Sequence, residues 1–381
     1  MDVRTCLRRL DYILLAAVLG LVVYGVTTIY FATRGDVAGD PLYYARSQVI
    51  NAVVGLVALA AVAVVDYGVY RRWQWPIYAV TVLSIAAVYA LGTVTRGSRR
   101  WIELPFFNLQ PSQIGLVLVT VALGAFLVDR MELLGTRRIT VEALVYVAVP
   151  ASLVFFQPDF GTSTVYVALV LAMLYFYGTP WTHFAALAVV AVVAIVGVVW
   201  LLPAAGVEVV KPYQMDRLLV FLDPGRDPEG AGYNVRQSMI AVGSGGLTGR
   251  GDQATQTTLD FLPEHHTDFI FAVIGERFGF VGALVLIGLY VVVLWRALRI
   301  ARLSRDTYGS VLAGGIAAML LFQIVVNIGM TLGIMPVTGI PLPFVSYGGA
   351  AMVSFLLLIG LLQSIHLRAA TTTPGVAGGR P

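Results

Sequence analysis

The feature that most constrains this chain is a series of nearly uncharged apolar runs recurring from residue 11 to residue 367. A helix needs about 20 such residues to cross the hydrocarbon of a bilayer. Ten stretches meet that description, at about 11–32, 46–65, 75–93, 111–128, 141–157, 160–178, 181–202, 269–298, 310–332 and 343–367. The first is too long for a signal-peptide core and has no clear cleavage site, so it counts as a helix. The fifth and sixth are split only by Gln157-Pro158-Asp159-Phe160-Gly161, and the eighth carries Glu276-Arg277 in its first third, which suits a partly buried segment. Of the 381 residues 58% are hydrophobic and 12% charged, against about 45–50% and about 25% in a soluble domain. Polar residues are too few to cover a water-facing surface, which excludes an isolated soluble enzyme and also a disordered chain. One cysteine, Cys6, leaves no intramolecular disulfide and no zinc site of several thiolates. The fold class is an all-α polytopic membrane protein of about ten transmembrane helices.

Lysine and arginine set the expected orientation, because short cytoplasmic loops collect them. With the N-terminus inside, the inner segments hold Arg4, Arg8, Arg9, Arg71, Arg72, Arg130, Arg137, Arg138, Arg296, Arg299, Arg302, Arg305, Arg368 and Arg380. Short outer loops hold Arg34, Arg46, Arg96, Arg99 and Arg100. Both termini are therefore expected in the cytoplasm, and the net charge of +4 reflects this bias and implies no nucleic-acid partner. A transmembrane domain is read over 1–370, with one long extracellular loop at about 203–268 and a disordered cytoplasmic tail at 371–381. Loops longer than about 15 residues are usually functional or disordered. This one has aromatic and aliphatic residues throughout, so it is expected to pack down.

Four features could carry chemistry. The long loop ends in Asp260-Phe261-Leu262-Pro263-Glu264-His265-His266-Thr267-Asp268, directly before a hydrophobic helix. Three readings compete there. Thr267 or Asp268 could cap the helix; Glu264, the two histidines and Asp268 could bind a metal, although adjacent histidines are not the i,i+4 pair of a zinc helix; or Asp268 could be a general base at the membrane surface. The second feature is Arg96-Gly97-Ser98-Arg99-Arg100-Trp101, whose guanidinium forks match phosphate oxygens two at a time. Arginines meeting lipid headgroups, with Trp101 in the interfacial belt, account for it equally. Third, Pro336-Val337-Thr338-Gly339-Ile340-Pro341-Leu342-Pro343-Phe344 with Ser346-Tyr347-Gly348-Gly349 makes a stiff, nonhelical linker, expected to support the outer face. Fourth, Asp159 sits at a helix break. A charge deep in the bilayer costs about 2.5–3.5 kcal/mol, so it should be paired or near the surface, either capping a helix or touching a substrate or partner.

These residues resemble a known family. The runs beginning Arg217-Leu218-Leu219-Val220, Gly232-Tyr233-Asn234-Val235, Gly243-Ser244-Gly245-Gly246, Phe261-Leu262-Pro263-Glu264 and Pro336-Val337-Thr338-Gly339 are similar to those of the SEDS proteins (shape, elongation, division and sporulation), on the RodA-like side of the family. Arg100-Trp101-Ile102 and Gln110-Pro111-Ser112 belong to the same resemblance, which covers almost the whole chain. It implies a peptidoglycan glycosyltransferase acting on lipid II at the outer face of the bacterial cytoplasmic membrane, during cell elongation and rod-shape maintenance. The implied partners are a class B penicillin-binding protein (a transpeptidase), other elongation-complex proteins and membrane lipids. The family's essential acid falls on Asp268, and its Arg-Trp pair on Arg100 and Trp101. In the implied single, inverting displacement, Asp268 takes the proton of the acceptor 4-hydroxyl and undecaprenyl pyrophosphate leaves. Its charge would be held by Arg100, with Arg99, Arg217 or a divalent cation (Mg or Mn) beside it; Glu264 and Asp159 are further candidates on the substrate side. No cofactor is named as certain.

The chain departs from the family pattern at Gln113 and Leu116, where an acid and a lysine are usual, at Arg277, where a second acid is usual, and at Ala350 and Ala351, where serines are usual. Losing an acid and a base together is what a deleted buried ion pair would look like, often a neutral exchange. If that lysine touches pyrophosphate in the family, Arg277 or Arg99 would have to compensate. Two rival functions stay open: a transporter that flips a polyprenyl-linked precursor, and a catalytically weak scaffold for a penicillin-binding protein. Transporters place coupling charges near the midplane on broken helices, whereas the charged knots here fall at span ends.

Overall fold

Inside hydrocarbon a backbone polar group has no water to bond, so apolar runs close their hydrogen bonds within helices. The computed structural model describes residues 8–95, 98–104, 107–197, 230–256 and 261–369. Its elements are α1 (Tyr12–Thr33), α2 (Tyr43–Val64), the short α3 (Tyr67–Arg72), α4 (Gln74–Leu91), strands β1 (Thr93–Thr95), β2 (Ser98–Leu104) and β3 (Phe107–Leu109), then α5 (Pro111–Val128), α6 (Arg137–Phe156), α7 (Phe160–Tyr177), α8 (Trp181–Val196), α9 (Ala231–Ser244), α10 (Ile270–Leu303), α11 (Thr307–Thr331) and α12 (Gly349–Ala369). Among the described residues nine helices are long and apolar enough to cross a membrane. The stretch expected at 181–202 is the exception. Its helix α8 has 16 residues up to the point where the described residues end at 197. The remainder of that stretch, the loop residues 203–229 and the tail 371–381 lie outside the described residues.

Helices α5 and α12 form the middle of the bundle, 83% and 89% buried, while α4 and α2 are 22% and 28% buried and face outward. Small residues let α2 and α12 meet closely, as membrane helices do in the absence of a hydrophobic drive. A Cβ on Gly55 would collide with Leu356, and one on Gly360 would come within 2.8 Å of the Leu59 carbonyl oxygen. The last span begins at Gly349 and not at 343, because Phe344 holds a left-handed backbone (φ 66°) that a right-handed helix does not include.

Two details were not expected. An antiparallel three-stranded sheet in the order β1-β2-β3 forms between α4 and α5, and carries the basic knot. Helix α10 breaks at Gly279 (φ 63°, ψ −160°). Residues 270–277 ahead of the break are all buried, as the Glu276-Arg277 pair implied. The long loop satisfies the amides freed there: Phe280 donates to the Gly246 carbonyl at 3.0 Å and Val281 to that of Leu247 at 3.1 Å. Gly279 permits this because a Cβ would run into the Gly249 amide nitrogen.

The helices define two ends. At the terminal end Asp11 caps α1, accepting from the Leu14 amide at 3.0 Å, and pairs with Arg296 of α10 at 2.6 Å. Gln363 of α12 bonds both main-chain groups of Asp11. At the opposite, loop end α1 finishes, α7, α10 and α12 begin, and the sheet and long loop gather. Of the charged residues buried among the described residues, Asp11 and Asp159 cap helices and Arg368 lies in the last turn of α12, whereas Glu276 and Arg277 stand just ahead of the break in α10 and Arg296 lies two turns inside its end.

Candidate active site at the loop end

Asp268 is half-buried in the turn that enters α10. The helix caps on Phe269 with no side-chain bond, so neither Thr267 nor Asp268 is the cap that the sequence offered. Glu264 is the reason. Its left-handed backbone (φ 57°) turns the chain back on itself, and its carbonyl accepts from the amides of Thr267 and Phe269, both at 3.2 Å. The Thr267 hydroxyl is drawn to the same residue, donating to Glu264 Oε2 at 2.8 Å. Glu264 therefore shapes the turn that presents Asp268.

Helix α11 and the proline-rich linker fix that turn. Asn327, fully buried on α11, donates one amide hydrogen to the Asp268 carbonyl at 2.9 Å and the other to that of Ile340 at 2.7 Å. Ser346 Oγ accepts from the Leu342 amide at 2.8 Å and donates to the Thr267 carbonyl at 2.6 Å. The Tyr347 amide donates to the His266 carbonyl at 3.0 Å. Gly339, at φ 72°, lies under the Asp268 carboxylate, where a Cβ would sit 3.3 Å from Oδ2. The proline-rich linker is thus the brace of this site, as its stiffness suggested. Phe344 within it also holds a left-handed backbone (φ 66°). Such backbones cost about 1–3 kcal/mol and survive where packing over-determines them, commonly at functional sites.

The second half of the site is Arg100 on β2. Nη2 donates to the Pro158 carbonyl and Nη1 lies 3.8 Å from Asp159 Oδ1. Asp159 is 3% exposed and caps α7, accepting from the Thr162 amide at 3.2 Å. Its other oxygen accepts from Gln110 Nε2 at 3.1 Å and is 3.5 Å from Ser112 Oγ. Neutral donors therefore satisfy most of the carboxylate. Arg100 Nε is buried with no partner, while the side chain as a whole is 27% exposed. The two halves meet through the linker: Gly161, two residues after Asp159, is pressed against the Thr338 carbonyl, and Thr338 adjoins Gly339 under Asp268.

Other expected residues are placed elsewhere. Arg99 points to the opposite side of β2 from Arg100, is exposed, and donates to the Tyr89 carbonyl at 3.4 Å. Trp101 is half-buried on the strand pair, opposite Thr93. Arg217 lies outside the described residues. The metal set of Glu264, both histidines and Asp268 does not assemble; among the described residues the group able to share one ion is Asp36 with His265 and His266. Gln113 and Leu116 are both buried on α5, and Gln113 Nε2 reaches Thr162 Oγ1 at 3.4 Å. A neutral contact thus occupies the position of the missing ion pair. Arg277 cannot stand in for the missing lysine. It is bound to Asp252 with its guanidinium 3.9 Å above the Phe31 ring. Asp252 also meets Arg34 at 3.2 Å, and its bond to Arg277 holds its carboxyl below the usual carboxylate range. Glu276 takes the Thr255 and Gln256 amides at 2.8 and 2.9 Å. The Arg277 and Glu276 positions thus tie the long loop to the broken helix.

Asn327 is the site residue that the sequence did not single out. The signal was available: an asparagine within an apolar span has to find a partner or a cavity.

A bundle of apolar helices long enough to span a bilayer, with Asp268 and Arg100 joined at its loop end, defines an integral membrane protein. Residues 8–371 match the sequence model of the FtsW/RodA/SpoVE family, described as a cell cycle protein, and the chain belongs to that family. It is 38% identical over 358 residues to the peptidoglycan glycosyltransferase MrdB of Escherichia coli (strain K12), covering 94% of this chain and 93% of that one. In fold it is similar to a chain from a solved structure described as the structural coordination of polymerization and crosslinking by a peptidoglycan synthase complex, with TM-score 0.79, 29% identity, and 94% and 97% of the two chains covered. The crystal structure of the Thermus thermophilus rod shape determining protein RodA is similar at TM-score 0.67 and 25% identity, covering 94% and 96%.

Proposed function

We propose that this chain is the lipid II polymerase of a cell-elongation machinery, an inverting peptidoglycan glycosyltransferase with its site on the outer face of the cytoplasmic membrane. The observation that carries the reading is the joined pair at the loop end. A carboxylate, Asp268, is braced from α11 and the proline-rich linker, and an accessible guanidinium, Arg100, is anchored on Asp159 and linked to the same brace. In this reading Asp268 removes the proton from the acceptor sugar's 4-hydroxyl as that oxygen bonds to the donor's anomeric carbon. The bond from that carbon to the pyrophosphate oxygen breaks, the centre inverts, and undecaprenyl pyrophosphate leaves. Arg100 meets the charge that develops on the leaving oxygens, the kind of interaction that usually supplies the largest part of catalysis. Arg217 is a further cation for the pyrophosphate, whereas Arg99, which donates to the Tyr89 carbonyl away from Arg100, is not.

The positions of the buried charges favour this reading over a flippase. Asp11 and Asp159 cap helices, Arg368 lies in a last turn, and Glu276 and Arg277 are committed to the long loop, whereas a transporter carries coupling groups near the midplane. The likeness to one chain of a complex that polymerises and crosslinks supports a penicillin-binding transpeptidase as partner. The test is polymerisation of labelled lipid II by the purified chain with that partner, its transpeptidase blocked by a β-lactam. Wild type should make long glycan, and a folded Asp268→Ala variant none. Equal product from both would remove Asp268 as base, and no product from either would favour a scaffold or transporter.

A further inference from the structure

His265 poses a chemical problem that the proposed mechanism does not use. The ring is 3% exposed, with Nδ1 2.9 Å from the Leu262 carbonyl and Nε2 3.2 Å from the Ala32 carbonyl. A neutral imidazole has one N–H, so only one of these contacts can be a hydrogen bond. The shorter, to Leu262 three residues back, takes the proton. Nε2 then points its lone pair at the Ala32 oxygen, a carbonyl in the last turn of α1, where the helix supplies no donor of its own. Two facing lone pairs repel unless a cation sits between them.

Two further donors converge on this place. Asp36, from the connection after α1, and His266 each offer an atom, and with the His265 atom these lie within 4.8 Å of one another. The His266 ring is held between Tyr44, at 5.0 Å, and Tyr347, at 5.7 Å, so its orientation is set by packing. Donors sharing a zinc ion at about 2.0–2.2 Å lie roughly 3–3.5 Å from each other, which the 3.2 Å between Nε2 and the Ala32 oxygen satisfies. The Nδ1–H to carbonyl bond is also the usual outer contact of a metal-bound histidine, fixing the tautomer that leaves Nε2 free to ligate.

We propose that Asp36, His265 and His266, with the Ala32 carbonyl, form a binding site for a zinc-class divalent ion. Two imidazoles select against magnesium, which prefers oxygen donors. The ion joins the end of α1 to the turn that carries Asp268, two residues beyond His266. Its role is positioning, and the site stands whether or not the chain polymerises lipid II.

The experiment is zinc binding by the tag-free, chelator-stripped chain in detergent, read by calorimetry and by thermal unfolding, for wild type, Asp36→Asn and His266→Gln. Asp36 is exposed, so its variant keeps the fold. Wild type should take one equivalent of Zn2+ at micromolar or tighter Kd and melt higher with it, while millimolar Mg2+ should do neither. Each variant should bind at least tenfold more weakly and lose the zinc-dependent rise in Tm. Absence of zinc binding, equal binding by wild type and Asp36→Asn, or equal protection by Mg2+ would overturn the site.

Discussion

The two ends of the bundle each hold an arginine–aspartate pair, and the pairs are built differently. At the terminal end Arg296 meets Asp11 through two nitrogens at 2.6 and 2.7 Å, and the carboxylate is fully buried. At the loop end Arg100 stands 3.8 Å from Asp159, whose oxygens go mainly to neutral donors, and the arginine keeps an exposed edge. Arg296 also has one nitrogen, Nη1, without a partner, yet it is only 6% exposed. Accessibility is therefore what separates the two. A pair committed to itself closes a helix junction; a stretched pair whose acid is satisfied by others leaves its cation able to meet a charged ligand.

Breaking the closed pair should have the largest effect on stability. Arg296→Met strands a buried carboxylate, which costs about 3–5 kcal/mol. Thermal unfolding should show that loss, while glycan made per folded molecule stays near wild type. The open pair should show the reverse. Arg100→Lys keeps the charge and loses the fork, worth about 1.5–3 kcal/mol for a charged hydrogen bond, or roughly ten- to a hundredfold in polymerisation rate with little change in Tm. Between these lies Asn327→Leu, which leaves the Asp268 and Ile340 carbonyls without their donor. It should cost about 1–3 kcal/mol and lower the polymerisation rate as well, because one of those carbonyls belongs to the catalytic turn.

The smallest effect concerns Asp252, which ties the long loop to Arg277. Its folded carboxyl lies below the ordinary value, so this tie is fully present above about pH 4, the unfolded value, and is lost as pH falls through the lower folded value. Hydrogen exchange of residues 250–256 should be insensitive to Asp252 protonation from pH 5 to 8, and Asp252→Asn should change it only slightly, since the carboxylate is largely exposed. A marked change near pH 6 would show that another group controls the loop.

What the sequence made legible follows from the period of its physics. Spans are long and uniform, so their positions could be read, and the prolines of 336–344 announced a nonhelical brace. The strands at 93–109 have no such signature: β1 and β3 are three residues long, and Ser98–Leu104 does not alternate apolar with polar residues. The Gly279 break was hidden for a different reason. Its freed amides are answered by Gly246 and Leu247, about thirty residues earlier, and that pairing exists only once the loop has folded. Asp268 was singled out from its place in the motif, whereas Asn327 acts through partners far away in the chain. Those partners are visible only in three dimensions.

One division of roles underlies these predictions: the loop end reacts and the terminal end is a clasp. It is tested most directly by comparing Asp268→Asn with Asp11→Asn, each assayed for lipid II polymerisation per folded molecule with the crosslinking partner present. Removing a general base costs about 10²–10⁴ in rate, so the account predicts near-complete loss in Asp268→Asn at unchanged Tm. In Asp11→Asn it predicts a lowered Tm with near wild-type glycan per folded molecule. Retained polymerisation in Asp268→Asn, or equal loss in both variants at matched folded fraction, would contradict it.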